Sequence, residues 1–225
     1  PETATIKLKI DGKQVEGKKG MTVLQVARRN GIYIPHLCDY EGLTPFSGCR
    51  VCLVEIEGRR GLDTSCTIMA AEGMVVQTRS PHVQEMQRGV MEALLSEHPD
   101  RCLTCPREDR CPPDVICQRD NIVTDRCVLC PRNKQCELQR VVDFVGIRWN
   151  RLGEGRRPPK PERSNPFVER NESYCIYCAR CVRVCDEVRG IFAFGLAYRG
   201  PHTRISVDFD RELVDSPCNF CGECA

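Results

Sequence analysis

Eighteen of the 225 residues are cysteine, and most of them stand in C-x2-C pairs. Two thiolates on one short loop chelate a metal, and sulfur chelates select zinc or iron–sulfur clusters. Such a cysteine density otherwise marks small secreted scaffolds held by disulfides. The N-terminus, PETATIKLKIDGKQ, has no apolar leader core, and no stretch approaches the ~20 apolar residues of a membrane span. The expectation is a metal-binding chain in a reducing compartment, the bacterial cytoplasm.

The spacing divides the thiols into sets. Cys38, Cys49, Cys52 and Cys66 follow C-x10-C-x2-C-x13-C. Three thiolates on one long loop with a more distant fourth is the ligation pattern of a plant-type [2Fe–2S] cluster, here with a longer first gap. Gly48 and Gly61 would let backbone approach such a cluster, and structural zinc is the alternative occupant. His36, two residues before Cys38, reads as a packing histidine rather than a ligand.

The second set reads H-x3-C-x2-C-x5-C: His98, Cys102, Cys105 and Cys111. A histidine four residues before such a run can be the fourth ligand of a [4Fe–4S] cluster. Replacing an anionic thiolate by neutral imidazole makes the site less negative and raises its potential. DRCLTCPREDRC (100–111) then aligns with DRCVLCPRNKQC (125–136), with seven identities in twelve positions, a signature of internal duplication. The position equivalent to His98 is Val123, so Cys127, Cys130 and Cys136 need another ligand, for which Cys117 is the candidate. Ligand exchange between the copies, and zinc in the extra site, remain open.

The third set is C-x2-C-x2-C-x3-C at Cys175, Cys178, Cys181 and Cys185, followed by Cys218, Cys221 and Cys224. This is the bacterial two-cluster ferredoxin run, with Asp186 where the simple motif has proline. In that arrangement the fourth cysteine of each run serves the other cluster. Cys185 is therefore expected with Cys218, Cys221 and Cys224. The site of Cys175, Cys178 and Cys181 would take a ligand from beyond Ala225, so the chain reads as a fragment.

An α+β fold must position these sets. IKLKI (6–10) alternates as a strand and turns at Asp11-Gly12. Thr22 can cap a helix that ends near Asn30-Gly31, with further strands at 51–56 and 74–78. Residues 1–80 are expected to form a β-grasp [2Fe–2S] ferredoxin-like domain. Residues 81–97 carry Val83, Met86, Val90, Met91, Leu94 and Leu95 at helical spacing behind Pro81, so 81–150 reads as a helical His/Cys segment holding one or two [4Fe–4S] clusters. Residues 151–170 (beginning RLGEGRRPPK) read as an extended linker, and 171–225 as the two-[4Fe–4S] ferredoxin-like domain, truncated at its C-terminus. One [2Fe–2S] and three to four [4Fe–4S] clusters are the expected cofactors.

A net charge of +2, spread along the chain, argues against a nucleic-acid partner, and a colourless zinc-rich binding module is the remote alternative. No G-x-G-x-x-G follows a strand, no phosphate loop is present, and no nucleophile or carboxylate pair presents itself, so no catalytic substrate site is expected. What remains is one-electron relay.

The order of motifs, with Glu137-Leu138-Gln139 after the second copy, SNPFVERNESYCIYCARCVRVCDEV and SPCNFCGECA, resembles the N-terminal iron–sulfur region of one family. That family comprises the G subunit of complex I (NADH:quinone oxidoreductase), NAD-linked formate dehydrogenase α subunits and [FeFe] hydrogenases. The resemblance implies the same ligand sets. It further implies a partner flavoprotein that oxidises NADH, other subunits of a redox complex, and a membrane arm reached through them on the cytoplasmic face. In the family the histidine and the ELQ belong to one segment, whereas here the 25-residue duplication separates them.

Overall fold

The computed structural model describes residues 4–107, 111–119, 126–153 and 161–224. The chain divides into two units, Pro1–Leu37 with Arg50–Arg156, and Cys38–Cys49 with Arg157–Ala225.

The first unit is built on a mixed sheet. Strand β1 (Thr5–Ile10) alternates exposed residues with buried Ile6, Leu8 and Ile10. Asp11 and Gly12 both take left-handed φ (50° and 78°), the geometry of a two-residue hairpin, and return the chain into β2 (Lys13–Lys18). Helix α1 (Val23–Arg29) opens with a capping box between Thr22 and Gln25. The strands β3 (Leu53–Ile56), β4 (Leu62–Thr64) and β5 (Val75–Gln77) complete the order β2-β1-β5-β3-β4, in which only the β1–β5 pair is parallel. Val23, Leu24, Val26 and Ala27 of α1 enter one core with Leu8, Ile10, Val54 and Val76. Each large side chain so buried contributes about 1.5–3 kcal/mol. The expected hairpin, capped helix and later strands are all present, and β4 is an addition.

Helix α2 (Pro81–Ser96) starts at Ser80, whose Oγ accepts from the Val83 amide. Its buried face is Val83, Gln87, Met91, Glu92 and Leu95, while Met86 is 46% exposed, so the apolar stripe read from the sequence is inward only in part. The two polar residues are buried because each has a partner. Gln87 donates to the Leu53 carbonyl (3.2 Å), and Arg151 donates to Glu92 (2.7 Å). Helix α3 (Glu137–Val145) is closed by Gly146 in the left-handed region (φ 74°), with the Gly146 and Ile147 amides both donating to the Val142 carbonyl.

The second unit holds little regular structure. Strands β6 (Pro161–Glu162) and β7 (Arg170–Asn171) pair within the stretch read from sequence as linker, of which 154–160 lie outside the described residues. A short helix α4 (Arg180–Arg183) runs into a π-turn (Val184–Val188), and β8 (Gly195–Ala197) pairs antiparallel with β9 (Arg204–Ser206). Its core is Ala193, Phe194, Ile205, Val207 and Leu213, together with Cys185. Among the described residues no helix is long and apolar enough to cross a membrane.

Candidate metal centres

Cys38, Cys49, Cys52 and Cys66 are all buried. Cys52 and Cys66 belong to the core of the sheet in the first unit, where Ser65 donates from both its amide (2.9 Å) and its hydroxyl (2.8 Å) to the Cys52 carbonyl. Cys38 and Cys49 bracket the loop assigned to the second unit. That loop is held by two arginines of α4. Arg183, itself buried, donates to the Thr44 carbonyl (2.6 Å) and to the Cys38 carbonyl, and its guanidinium lies 5.4 Å from the Phe46 ring centroid. Arg180 donates to the Asp39 carbonyl (2.8 Å) and lies over Tyr40, while Glu187 accepts from the Thr44 amide (2.6 Å). A Cβ at Gly48 would meet the Phe46 ring, which would have to shift to admit it. Gly61 instead takes a left-handed turn (φ 85°) ahead of β4. His36 is a packing histidine: Nδ1 donates to the Ile34 carbonyl (2.7 Å), Nε2 accepts from Arg28 (3.2 Å), and its ring leans on Tyr33.

The ferredoxin-like thiols share one local geometry used twice. Tyr177 and Ala179 flank Cys178 with left-handed φ (53° and 54°), as Phe220 and Gly222 flank Cys221 (55° and 78°). This twist turns successive amides inward, so that the Tyr177 N–H donates to Cys175 Sγ and the Phe220 N–H to Cys218 Sγ, both at 3.4 Å. Ala193 N–H likewise donates to Cys185 Sγ at 3.3 Å. Amides aimed at sulfur stabilise thiolate and tune the potential of a cluster that the sulfur would carry. Cys185, Cys218, Cys221 and Cys224 line one apolar hollow, as the crossed ferredoxin pattern expects. Burial pushes the Cys181 thiol up to about 12, reinforced by the neighbouring sulfurs of Cys178, Cys175 and Cys224. Burial also raises Cys224, with Cys218, Cys221 and Cys185 adding to it. Thiols that resist ionising beside one another need a cation among them, which is the role that iron would fill.

In the His/Cys segment the C-x2-C turns repeat: the Cys105 amide donates to the Cys102 carbonyl and the Cys130 amide to the Cys127 carbonyl, both at 2.9 Å. His98 Nδ1 lies 3.0 Å from the Pro99 carbonyl, which can only accept, so Nδ1 carries the proton and Nε2 the lone pair. Cys102, Cys105, Cys111, Cys117 and Cys127 line a single hollow. A hydrogen bond from Cys127 draws the Cys102 thiol down to about 6, against its burial and with help from Arg126 and Arg119. Arg126 donates to Cys111 Sγ and to the Pro112 carbonyl (both 2.8 Å) and to the Val115 carbonyl. Cys130 is exposed, and Cys136 stands at the N-cap of α3. Gln139 of the ELQ triplet pins the loop ahead of Cys136, accepting from the Lys134 amide (2.9 Å) and donating to Asn133 (3.0 Å). Val123 lies outside the described residues. Among those residues no three His, Cys, Asp or Glu side chains meet closely enough to hold one metal ion; the thiols ring hollows instead.

The arginines at 126, 180 and 183 and Ser65 were not singled out by sequence reasoning. Arg126 could have been noticed as part of the repeated Asp-Arg-Cys, and Arg180 and Arg183 by their place between ligand cysteines.

Three family models match parts of the chain. Residues 3–81 match the family described as a 2Fe-2S iron-sulfur cluster binding domain. Residues 87–112 match the NADH-ubiquinone oxidoreductase-G iron-sulfur binding region, and residues 165–220 the ferredoxin-like domain of NADH-quinone oxidoreductase subunit 3. The chain is 36% identical over 221 residues to the second NADH-quinone oxidoreductase G subunit of Rhizobium meliloti, covering 97% of this chain and 23% of the relative. It is 32% identical over 220 residues to the NADP-reducing hydrogenase subunit HndD of Solidesulfovibrio fructosivorans, covering 96% of this chain and 33% of that protein. The chain thus spans about a quarter to a third of such relatives. A chain in the crystal structure of an NAD+-reducing [NiFe]-hydrogenase in the H2-reduced state shares the fold, with TM-score 0.72, 24% identity, and coverage of 95% of this chain and 80% of that one. By these matches the chain is similar to the iron–sulfur region of complex I G subunits, with segments that match [2Fe–2S]- and [4Fe–4S]-binding domains.

Proposed function

We propose that this chain is the iron–sulfur electron-relay portion of a multisubunit NADH dehydrogenase of the complex I type. The observation that carries the reading is the pair of matching left-handed loops in the second unit, which aim backbone amides at Cys175 and Cys218, the second of them lining a hollow in which Cys218, Cys221 and Cys224 meet Cys185. Cys38, Cys49, Cys52 and Cys66 would hold a [2Fe–2S] cluster on a β-grasp domain, on the grounds of their spacing and burial and of the match over residues 3–81. Seven ferredoxin-like cysteines and the His98-to-Cys136 segment would hold [4Fe–4S] clusters, three to four in all. When bound, such clusters supply one-electron carriers. The protein's part is to orient thiolates, screen them from water and set their potentials through amides and guanidinium groups. The names of the relatives favour NADH as electron source and other subunits as partners; a flavoprotein that oxidises NADH and a seat on the cytoplasmic face of a membrane through other subunits belong to the same proposal. A second reading, electron input to a hydrogenase, is favoured by the likeness to HndD.

The test is EPR of the full chain purified anaerobically with its natural partners. NADH is expected to elicit both [2Fe–2S] and [4Fe–4S] signals on the timescale of turnover. Signals elicited by hydrogen rather than NADH would select the second reading. A colourless complex rich in zinc would overturn both.

A further inference from the structure

We propose that Cys102, Cys105, Cys111 and Cys117 form one all-thiolate [4Fe–4S] site, and that His98 serves Cys127, Cys130 and Cys136 instead. This rests on the electron-relay reading and changes the ligand division that spacing alone favoured, in which His98 completes the first triad and Cys117 the second. The carrying observation is the hollow in the first unit: Cys117 faces it together with Cys102, Cys105 and Cys111, and among the described residues His98 is not in its lining. The spacing C-x2-C-x5-C-x5-C closes four thiolates on sixteen residues of chain, from Cys102 to Cys117, with no need of the second segment.

The fifth thiol at the hollow is Cys127. It is joined to Cys130 by the same turn that joins Cys102 to Cys105, and two thiolates on so short a turn can chelate one cluster. We therefore group Cys127 with Cys130 and Cys136, which are not in the lining, and its place in the hollow beside Cys102 makes the two sites neighbours. The all-thiolate site carries the greater negative charge, and cationic groups are gathered on it. Arg126 donates to Cys111 Sγ and fastens the 112–115 backbone, and Arg119 holds the Arg101 carbonyl (2.7 Å) and Thr104 Oγ1 (3.2 Å). The other triad is then one ligand short. His98, with its proton fixed on Nδ1 by the Pro99 carbonyl, offers Nε2. The family match over residues 87–112 takes in His98 with the first triad, and Cys117 and the second triad lie beyond it.

The experiment is pulsed EPR for the 14N coupling of a histidine-ligated cluster, on the complete complex with Cys117→Ala and Cys136→Ala introduced separately. An all-thiolate first site requires Cys117→Ala to lose about four irons and keep the 14N coupling, and Cys136→Ala to lose the coupled signal. Loss of the coupling in Cys105→Ala but not in Cys136→Ala would overturn it, as would one zinc and no iron at the Cys117 site. Should the alanine variants fail to assemble, Cys117→Ser and Cys136→Ser keep a ligand atom, and the question becomes which of them shifts the g-values of the 14N-coupled cluster. Wild-type EPR without any NADH-reducible signal would sink the relay reading itself, an outcome distinct from a mere exchange of ligands.

Discussion

At the scale of single residues, Arg183 does most with least. It sits between two cysteines of the ferredoxin-like run, yet its guanidinium is spent on the carbonyls of Cys38 and Thr44 and on the face of Phe46. A buried charged donor shared between two carbonyls stabilises the loop by about 2–3 kcal/mol, and its removal leaves those carbonyls unsatisfied. Arg183→Met is therefore expected to loosen the 38–49 loop and speed oxygen bleaching of the [2Fe–2S] absorbance severalfold, with slower change at the ferredoxin-like clusters. Equal bleaching of every cluster, followed by visible absorption and EPR, would contradict this. Arg183→Lys should rescue only partly, since a single ammonium cannot span both acceptors as a planar fork does.

At the scale of elements, the β8–β9 hairpin is tied by one exposed carboxylate. Asp210 accepts from Ser206 and Tyr198 hydroxyls and pairs with Arg204, all at 2.5 Å. The Ser206 and Tyr198 hydrogen bonds, with Arg204, hold it down at about 2. A carboxyl depressed on folding adds stability that is fully present above its unfolded value near 4 and is lost as pH falls through about 2. Protection of the Gly195–Ala197 amides from hydrogen exchange should thus decline between pH 4 and pH 2, and Asp210→Asn should flatten that decline.

Elements also mark where sequence was enough and where it was not. Asp11-Gly12 and Thr22 announce a hairpin and a helix start through local chemistry alone, and the cysteine spacings point to cluster-binding domains because a cluster imposes its own geometry on the loop. Strand β4 is three residues long, too short for a period to register. The outward turn of Met86 and the burial of Gln87 and Glu92 depend on partners at Leu53 and Arg151, which α2's own periodicity cannot reveal. The placing of Cys117 beside Cys102 depends on the path of the 111–119 loop, about which the repeat says nothing.

At the scale of the whole molecule, the two units are stabilised by different means. The sheet of the first unit buries Leu8, Ile10, Val54, Val76 and the inner face of α1, a core that needs no metal. In the second unit Cys185, with Cys175, Cys181, Cys218 and Cys224 packed against it, occupies much of the interior. Stripping iron with a chelator under reducing conditions should expose the amides of 171–188 and β8–β9 to rapid exchange while β1, β3 and β5 stay protected; uniform loss of protection would show that the sheet also depends on metal.

The bond from Arg183 to the Cys38 carbonyl joins residues 145 positions apart. A ribosome adding about 5–20 residues per second needs roughly 7–30 s to cover that interval. For that time the nascent loop with Cys38 and Cys49 waits without its clamp, its thiols open to oxidation or to the wrong metal. The clamp therefore sets an order of manufacture, in which the N-terminal loop is translated first and secured late, and a protective escort for the growing chain would matter most in that window.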